Sequence, residues 1–151
     1  MKKITVYAAV LVLFLSTQNN SQTKTFTRQD TLRGTITKER EWWDLTYYHL
    51  NVTVTPKDSS ISGNNIVRYK VLSGGRIMQI DLQPPLKITK VSQDNTWLEF
   101  SREGNAYYIK LTGPQNAGDI KQIDVFYEGN PTVAKNPPWS GGGSWKKDSK
   151  G

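Results

Sequence analysis

The sequence predicts an all-β fold, an antiparallel β-sandwich or a strongly curved sheet of about seven or more strands. Three observations lead there. From Tyr48 the apolar residues Tyr48, Leu50, Val52 and Val54 fall on every second position, with His49, Asn51, Thr53 and Thr55 between them. That period of two sends one row of side chains to a core face and the other toward water. Similar runs recur at intervals of roughly ten residues, each broken by turn-forming residues. Five Trp and seven Tyr add large flat side chains, which suit a pleated half-buried surface better than disorder.

At 151 residues the chain is about one domain long, and a hydrophobic fraction of 36% suffices for a thin two-layer core. The formal charge is +7, two units less without Lys2 and Lys3. The remaining bases are scattered among acids rather than gathered into a stripe with stacking aromatics, which argues for a solvated basic surface and against a nucleic-acid partner. No cysteine is present, so a disulfide framework, a thiol nucleophile, a thiolate metal site and a lipidated N-terminal Cys are all excluded. The single His49 lies on the polar side of its strand and cannot by itself make a His-rich metal centre.

Taken in order, residues 1–15 read MKKITVYAAVLVLFL, two lysines before an apolar run too short for a comfortable membrane span. This is the layout of a secretory signal peptide. Residues 1–22 are therefore expected to be a signal peptide and the start of a flexible lead, so that the chain is exported, periplasmic or extracellular, with no stable membrane span after cleavage. Residues 23–44 form an N-terminal arm, either extended or with a short helical turn. Its paired Trp42 and Trp43 are expected to anchor it on the sheet, with adjacent strand residues pointing to opposite faces.

Residues 45–131 are the β domain. The opening hairpin places Tyr48 to Val54 against Val67, Tyr69 and Val71, with Pro56, Lys57, Asp58 and two serines turning between them. Gly74 and Gly75 lead into the alternating strand of Met78, Ile80 and Leu82, which Pro84 and Pro85 end. A strand then begins at Leu86 and Ile88, and Val91 falls one residue out of phase, the mark of a bulge. Strands over residues 96–101 and 106–111 flank a four-residue loop, Arg102 to Asn105, and Ile123, Val125 and Tyr127 alternate in the last strand. No stretch shows a helical period. Residues 132–151 turn Pro- and Gly-rich, yet Trp139 and Trp145 bracket the Gly run and point to packing.

Catalytic constellations do not emerge. The sequence holds no HExxH, no GxSxG elbow and no phosphate-cradling Gly loop with the flanking strand and helix. Asp81, Glu99, Glu103, Asp119, Asp124 and Glu128 lie on polar strand positions or in loops, and no spacing pairs two of them for acid and base work. No catalytic, cofactor-binding or metal-ligating residue is assigned.

Four stretches in order, WWDLTYYHLNVTVTPKDSSISGNNIVRYKV, MQIDLQPPLKITKV, GDIKQIDVFYEGNP and PPWSGGGSWKKDSKG, resemble the N-terminal domain of the M1 family of zinc aminopeptidases, including its leukotriene A4 hydrolase-like members. The matching features are the Tyr-x-Leu-x-Val strand, the Ile61-Ser62-Gly63 turn, the Ile77 to Leu82 strand, and Tyr127 to Pro131 in the pattern Tyr-x-Gly-x-Pro. The resemblance implies a saddle-shaped β domain leaning on a catalytic domain of the same parent chain and helping to close one side of its peptide-substrate cleft. It also implies zinc in that parent. The family's GxMEN and HExxH motifs and its distant Glu ligand match no residue here, which fits an unfinished chain whose residues 132–151 lead toward a missing catalytic domain. On that reading an isolated chain exposes apolar surface and self-associates. The alternative is a free-standing secreted β-sandwich binding a glycan or protein through Trp97, Trp139 and Trp145.

Overall fold

The long hairpin dominates the architecture. In the computed structural model, which describes residues 25–137 and 140–149, one short α-helix, a single 3-10 turn (Pro56–Asp58) and eight strands are formed among the described residues. They are α1 (Arg28–Gly34), β1 (Trp43–Thr55), β2 (Ser60–Val71), β3 (Ile77–Asp81), β4 (Lys87–Gln93), β5 (Thr96–Trp97), β6 (Glu99–Glu103), β7 (Ala106–Lys110) and β8 (Ile120–Gly129). All pairings between them are antiparallel, giving a five-stranded sheet ordered β1-β2-β8-β4-β5 and a three-stranded sheet ordered β3-β7-β6. The fold is the all-β sandwich that the alternating runs predict. The signal-peptide expectation for residues 1–22 and Trp139 lie outside the described residues.

Several local expectations need correction. Gly104 and Asn105 alone make the β6–β7 turn, because Arg102 and Glu103 pair across the hairpin with Tyr107 and Ala106. Gly104 carries φ +59°, a left-handed conformation that glycine adopts without strain. The strand expected over residues 96–101 is interrupted at Leu98, which is buried while the chain crosses from the large sheet to the small one. A helix does form, at α1, where Thr27 and Asp30 make a reciprocal capping box. No 3.6-residue period announces it, since one buried residue, Leu32, holds it down. The bulge inferred near Ile88 is present, as a register shift between Ile88 and Lys90 against β8.

β1 contains a second irregularity that the alternation conceals. Leu45 opposes Tyr69 and Tyr47 opposes Arg68, so Thr46 is an extra residue, and its hydroxyl donates to Arg68 O at 3.0 Å. The bulge changes the phase of the strand. Trp43 and Leu45 before it, and Tyr48, Leu50, Val52 and Val54 after it, consequently share one face.

The core lies between the sheets at one end of the hairpin. Val67, Tyr69, Val71, Ile88, Val91, Ile123 and Val125 of the large sheet meet Met78, Tyr107 and Ile109 of the small one, with Leu98 and Leu111 at its margins. Tyr69 is fully buried at its centre. Trp42 and Trp43 each present a ring edge-on to it at 6.0 Å, and its hydroxyl donates to Gln115 Oε1 and accepts from Gln93 Nε2, both at 2.9 Å. The Trp pair is thus an anchor, as expected, although both rings pack on one residue because Trp42 precedes the strand.

The arm also closes an exposed edge. β3 would present unpaired backbone groups on the side away from β7; instead the Trp42 indole donates to Ile77 O at 2.8 Å and Gln79 N donates to Glu39 O at 3.0 Å. The Thr37 hydroxyl adds a bond to Gln79 Oε1 at 2.8 Å, and Arg28 bridges to Glu103 at 3.0 Å. Replacing Trp42 by Ala removes a buried ring and an edge bond together, and a loss of about 3–5 kcal/mol in urea denaturation is expected.

Acid should free the arm first. Backbone and hydroxyl hydrogen bonds from Thr27 hold the Asp30 carboxyl below its ordinary value, and the Arg28 side chain does the same for Glu103. A lowered carboxyl contributes stability that is complete above the ordinary carboxyl range and is lost as pH falls through the lowered value. Amide exchange over α1 should therefore quicken on acidification before that of β2 and β8, and Glu103→Gln should weaken this pH dependence.

Candidate functional site

Beyond the small sheet, the far half of the hairpin stands open. The face that carries the core continues along β1 and β2 with the same alternation, but no second layer covers it among the described residues. Leu50, Val52 and Val54 are 61, 46 and 53% exposed. The expectation that this row reaches a core face is corrected accordingly: the row lies on the core side of the sheet but is open to solvent. Between it and the ends of β3 and β4 lies a cleft of about 360 Å³, lined by Tyr48, Leu50 and Val52, by Ile61 and Asn65, by Leu82 and Leu86, and by Tyr127.

Glycines and a tyrosine shape its floor. A Cβ at Gly63 would lie 2.0 Å from Asn51 O and 3.1 Å from the Tyr127 hydroxyl. Glycine there lets Tyr127 of β8 cross over β2 and donate to Asn51 O at 3.0 Å, joining the first strand to the third across the second. Gly129, at φ +149°, packs where a Cβ would come within 2.8 Å of Pro85 O. Asn130 Nδ2 donates to Asp58 O at 2.7 Å, tying the end of β8 to the hairpin tip. The residues that carried the family resemblance, Gly63 and Tyr127 to Asn130, are joints of the fold.

Polar groups ring the cleft sparsely. Asp81 pairs with Arg40 and accepts from Gln79 Nε2 at 3.0 Å. Burial, and secondly the Asp81 charge, raise the Tyr48 phenol above its ordinary value, and burial raises that of Tyr127. Asn65 Oδ1 is buried on this face with no hydrogen-bond donor among the described residues. An acceptor in that state invites a donor from whatever covers it.

The other candidates from the sequence stay apart. His49 is exposed on the opposite face, its Nδ1 3.4 Å from the Tyr47 hydroxyl. Glu99, Glu103, Asp119 and Glu128 form ion pairs with Lys110, Arg28, Lys121 and Lys87 respectively. Trp97 is 61% exposed, its ring beside Phe126 and beneath the Lys90 ammonium at 5.2 Å, while Trp145 lies near Pro56 and Lys57 at the hairpin tip. Among the described residues no three His, Cys, Asp or Glu side chains come together as a metal site would need.

No family model matches the chain, and no curated protein matches it. Solved structures do. An M1 zinc metallopeptidase from Deinococcus radiodurans superposes at a TM-score of 0.55 with 15% identity, over 66% of this chain and 23% of that one. Over that share the fold is similar to the N-terminal domains of M1 zinc metallopeptidases. The same protein bound to a Tyr-Ser-Ala substrate gives the same values. Native yeast LTA4 hydrolase matches at 0.49 and 17% identity, over 58% of this chain and 14% of that one. This chain thus spans about a quarter of the length of the M1 structures it matches, and identity this low establishes fold alone.

The close approach at Gly63 gives a direct check. Gly63→Ala should destabilise the chain by about 2 kcal/mol, since the neighbour is backbone and cannot swing away. Gly74→Ala, with open space around it, should stay within about 0.5 kcal/mol in the same denaturation series.

Proposed function

We propose that this chain is the N-terminal β domain of an exported zinc-dependent aminopeptidase, forming one wall of the substrate cleft in a longer parent polypeptide that hydrolyses peptides. The observation that carries the reading is the M1 fold, reached by a chain whose motif residues occupy its structural joints. The open apolar row supports it, because a contiguous exposed patch of this kind marks an interaction surface. The lysine-led apolar run of residues 1–15 supports export.

Zinc does not fit the described residues. The chain has one His and no Cys, and its carboxylates do not converge. On this reading the metal, its ligands and the activated water belong to the catalytic domain of the parent, and this domain contributes cleft wall and docking surface.

The reading is tested on the parent gene and protein. The reading frame should continue past Gly151 into GxMEN and HExxH motifs. Purified parent should lose at least about nine-tenths of its aminopeptidase activity to a chelator and regain it with zinc. A frame that closes at Gly151, or a parent whose peptidase activity ignores chelation, would contradict it.

A further inference from the structure

We infer that the outer edge of β1 and the open cleft beside it form one docking surface for an amphipathic β-strand supplied by the parent polypeptide beyond Ser149. The inference rests on the parent-enzyme reading and adds the partner and the mode of contact: strand addition with alternate side chains buried.

The two free edges on this side of the sandwich are treated differently. β3, the edge of the small sheet, is capped by Trp42 and Glu39. β1, the edge of the large sheet, is 13 residues long and pairs only with β2 among the described residues. It contains no Pro and no Lys, and Asp44 is its one acidic residue. Edge strands that must stay solitary are usually short, bulged along their length or charged. This one is bulged only at Thr46, near its start.

The surface also specifies its occupant. Leu50, Val52 and Val54 lie on the cleft side, while His49, Asn51 and Thr53 lie on the other. A strand added beside β1 completes both faces only if it alternates apolar and polar residues in phase with these. Its apolar side chains would enter the cleft, where the buried Asn65 Oδ1 has no donor among the described residues.

The chain leaves in the right place. Trp145 to Asp148 line one pocket with Pro56, Lys57 and Ser59 at the tip of the β1–β2 hairpin. Polypeptide continuing from there reaches β1 through a short connection, and the matched M1 structures are long enough to supply it, since this chain spans 23% of their length.

Hydrogen exchange on the parent and on the 151-residue chain tests this. In the parent, the β1 amides directed away from β2 should exchange at least about 100-fold more slowly than in the shorter chain, with β2 amides little changed. Leu50→Lys with Val54→Lys in the parent should restore fast exchange in β1 while circular dichroism stays the same. Equal exchange in both chains would overturn the inference even if the parent is a zinc aminopeptidase. Slowed exchange in a parent without peptidase activity would uphold it and sink the functional reading. Side-chain burial without slowed β1 amides would also overturn it, because a cover that does not pair with the backbone is not an added strand.

Discussion

Strand length is the constraint from which the rest of this structure follows. β1 and β2 run for 13 and 12 residues, while the three strands of the small sheet have five each. At about 3.4 Å per residue, strands of about 17 Å face a hairpin of about 44 Å. The small sheet can cover only one end. There Val67, Tyr69 and Val71 of β2 become core and Trp43 of β1 packs against them, while the β1 row from Leu45 to Val54 stays solvent-exposed with no change in its sequence pattern.

The closed end is made secure by a few well-connected side chains. Tyr69 receives both Trp rings and holds Gln93 and Gln115 through its hydroxyl, so arm, hairpin, β4 and the loop before β8 meet on one residue. Trp42 does double duty, filling the core with its ring and capping β3 with its indole N–H. Gly75 makes room for that ring, since a Cβ there would stand 2.3 Å from it. The arm is consequently part of the sandwich wall, and its removal would uncover a sheet edge as well as a hydrophobic surface.

The sequence made the large elements legible because alternation is a local signal. The hairpin, the strands around Met78, Tyr107 and Val125, and the bulge after Ile88 could all be read from residues close in the chain. What could not be read depends on residues far apart. The period of two assigns Leu50 and Val52 to a face, but whether that face is covered depends on the length of strands that begin only at Ile77. The bulge at Thr46 hides because apolar residues continue on both sides of it and only pairing with β2 reveals the extra residue. The arm was legible only as extended or with a short helical turn, because a seven-residue helix with one buried side chain has no period to show, though Thr27 and Asp30 stand in the sequence as a capping pair. As for the candidate site, Tyr48, Leu50 and Val52 were legible as a row, while Asn65 and Tyr127 joined it only through pairing across the sheet.

The motif residues explain why fold and chemistry part company here. Gly63, Tyr127, Gly129 and Asn130 are held by steric contact and hydrogen bonds to backbone, and none presents a reactive group to the cleft as nucleophile, base or ligand. They let the Tyr127 side chain of β8 reach over β2 to the β1 backbone and tie the end of β8 to the hairpin tip. What this geometry leaves among the described residues is an apolar row on a strand edge that pairs only with β2, beside a buried acceptor, Asn65 Oδ1, that has no donor among them. An exposed apolar row and a buried acceptor without a donor each carry a cost in free energy.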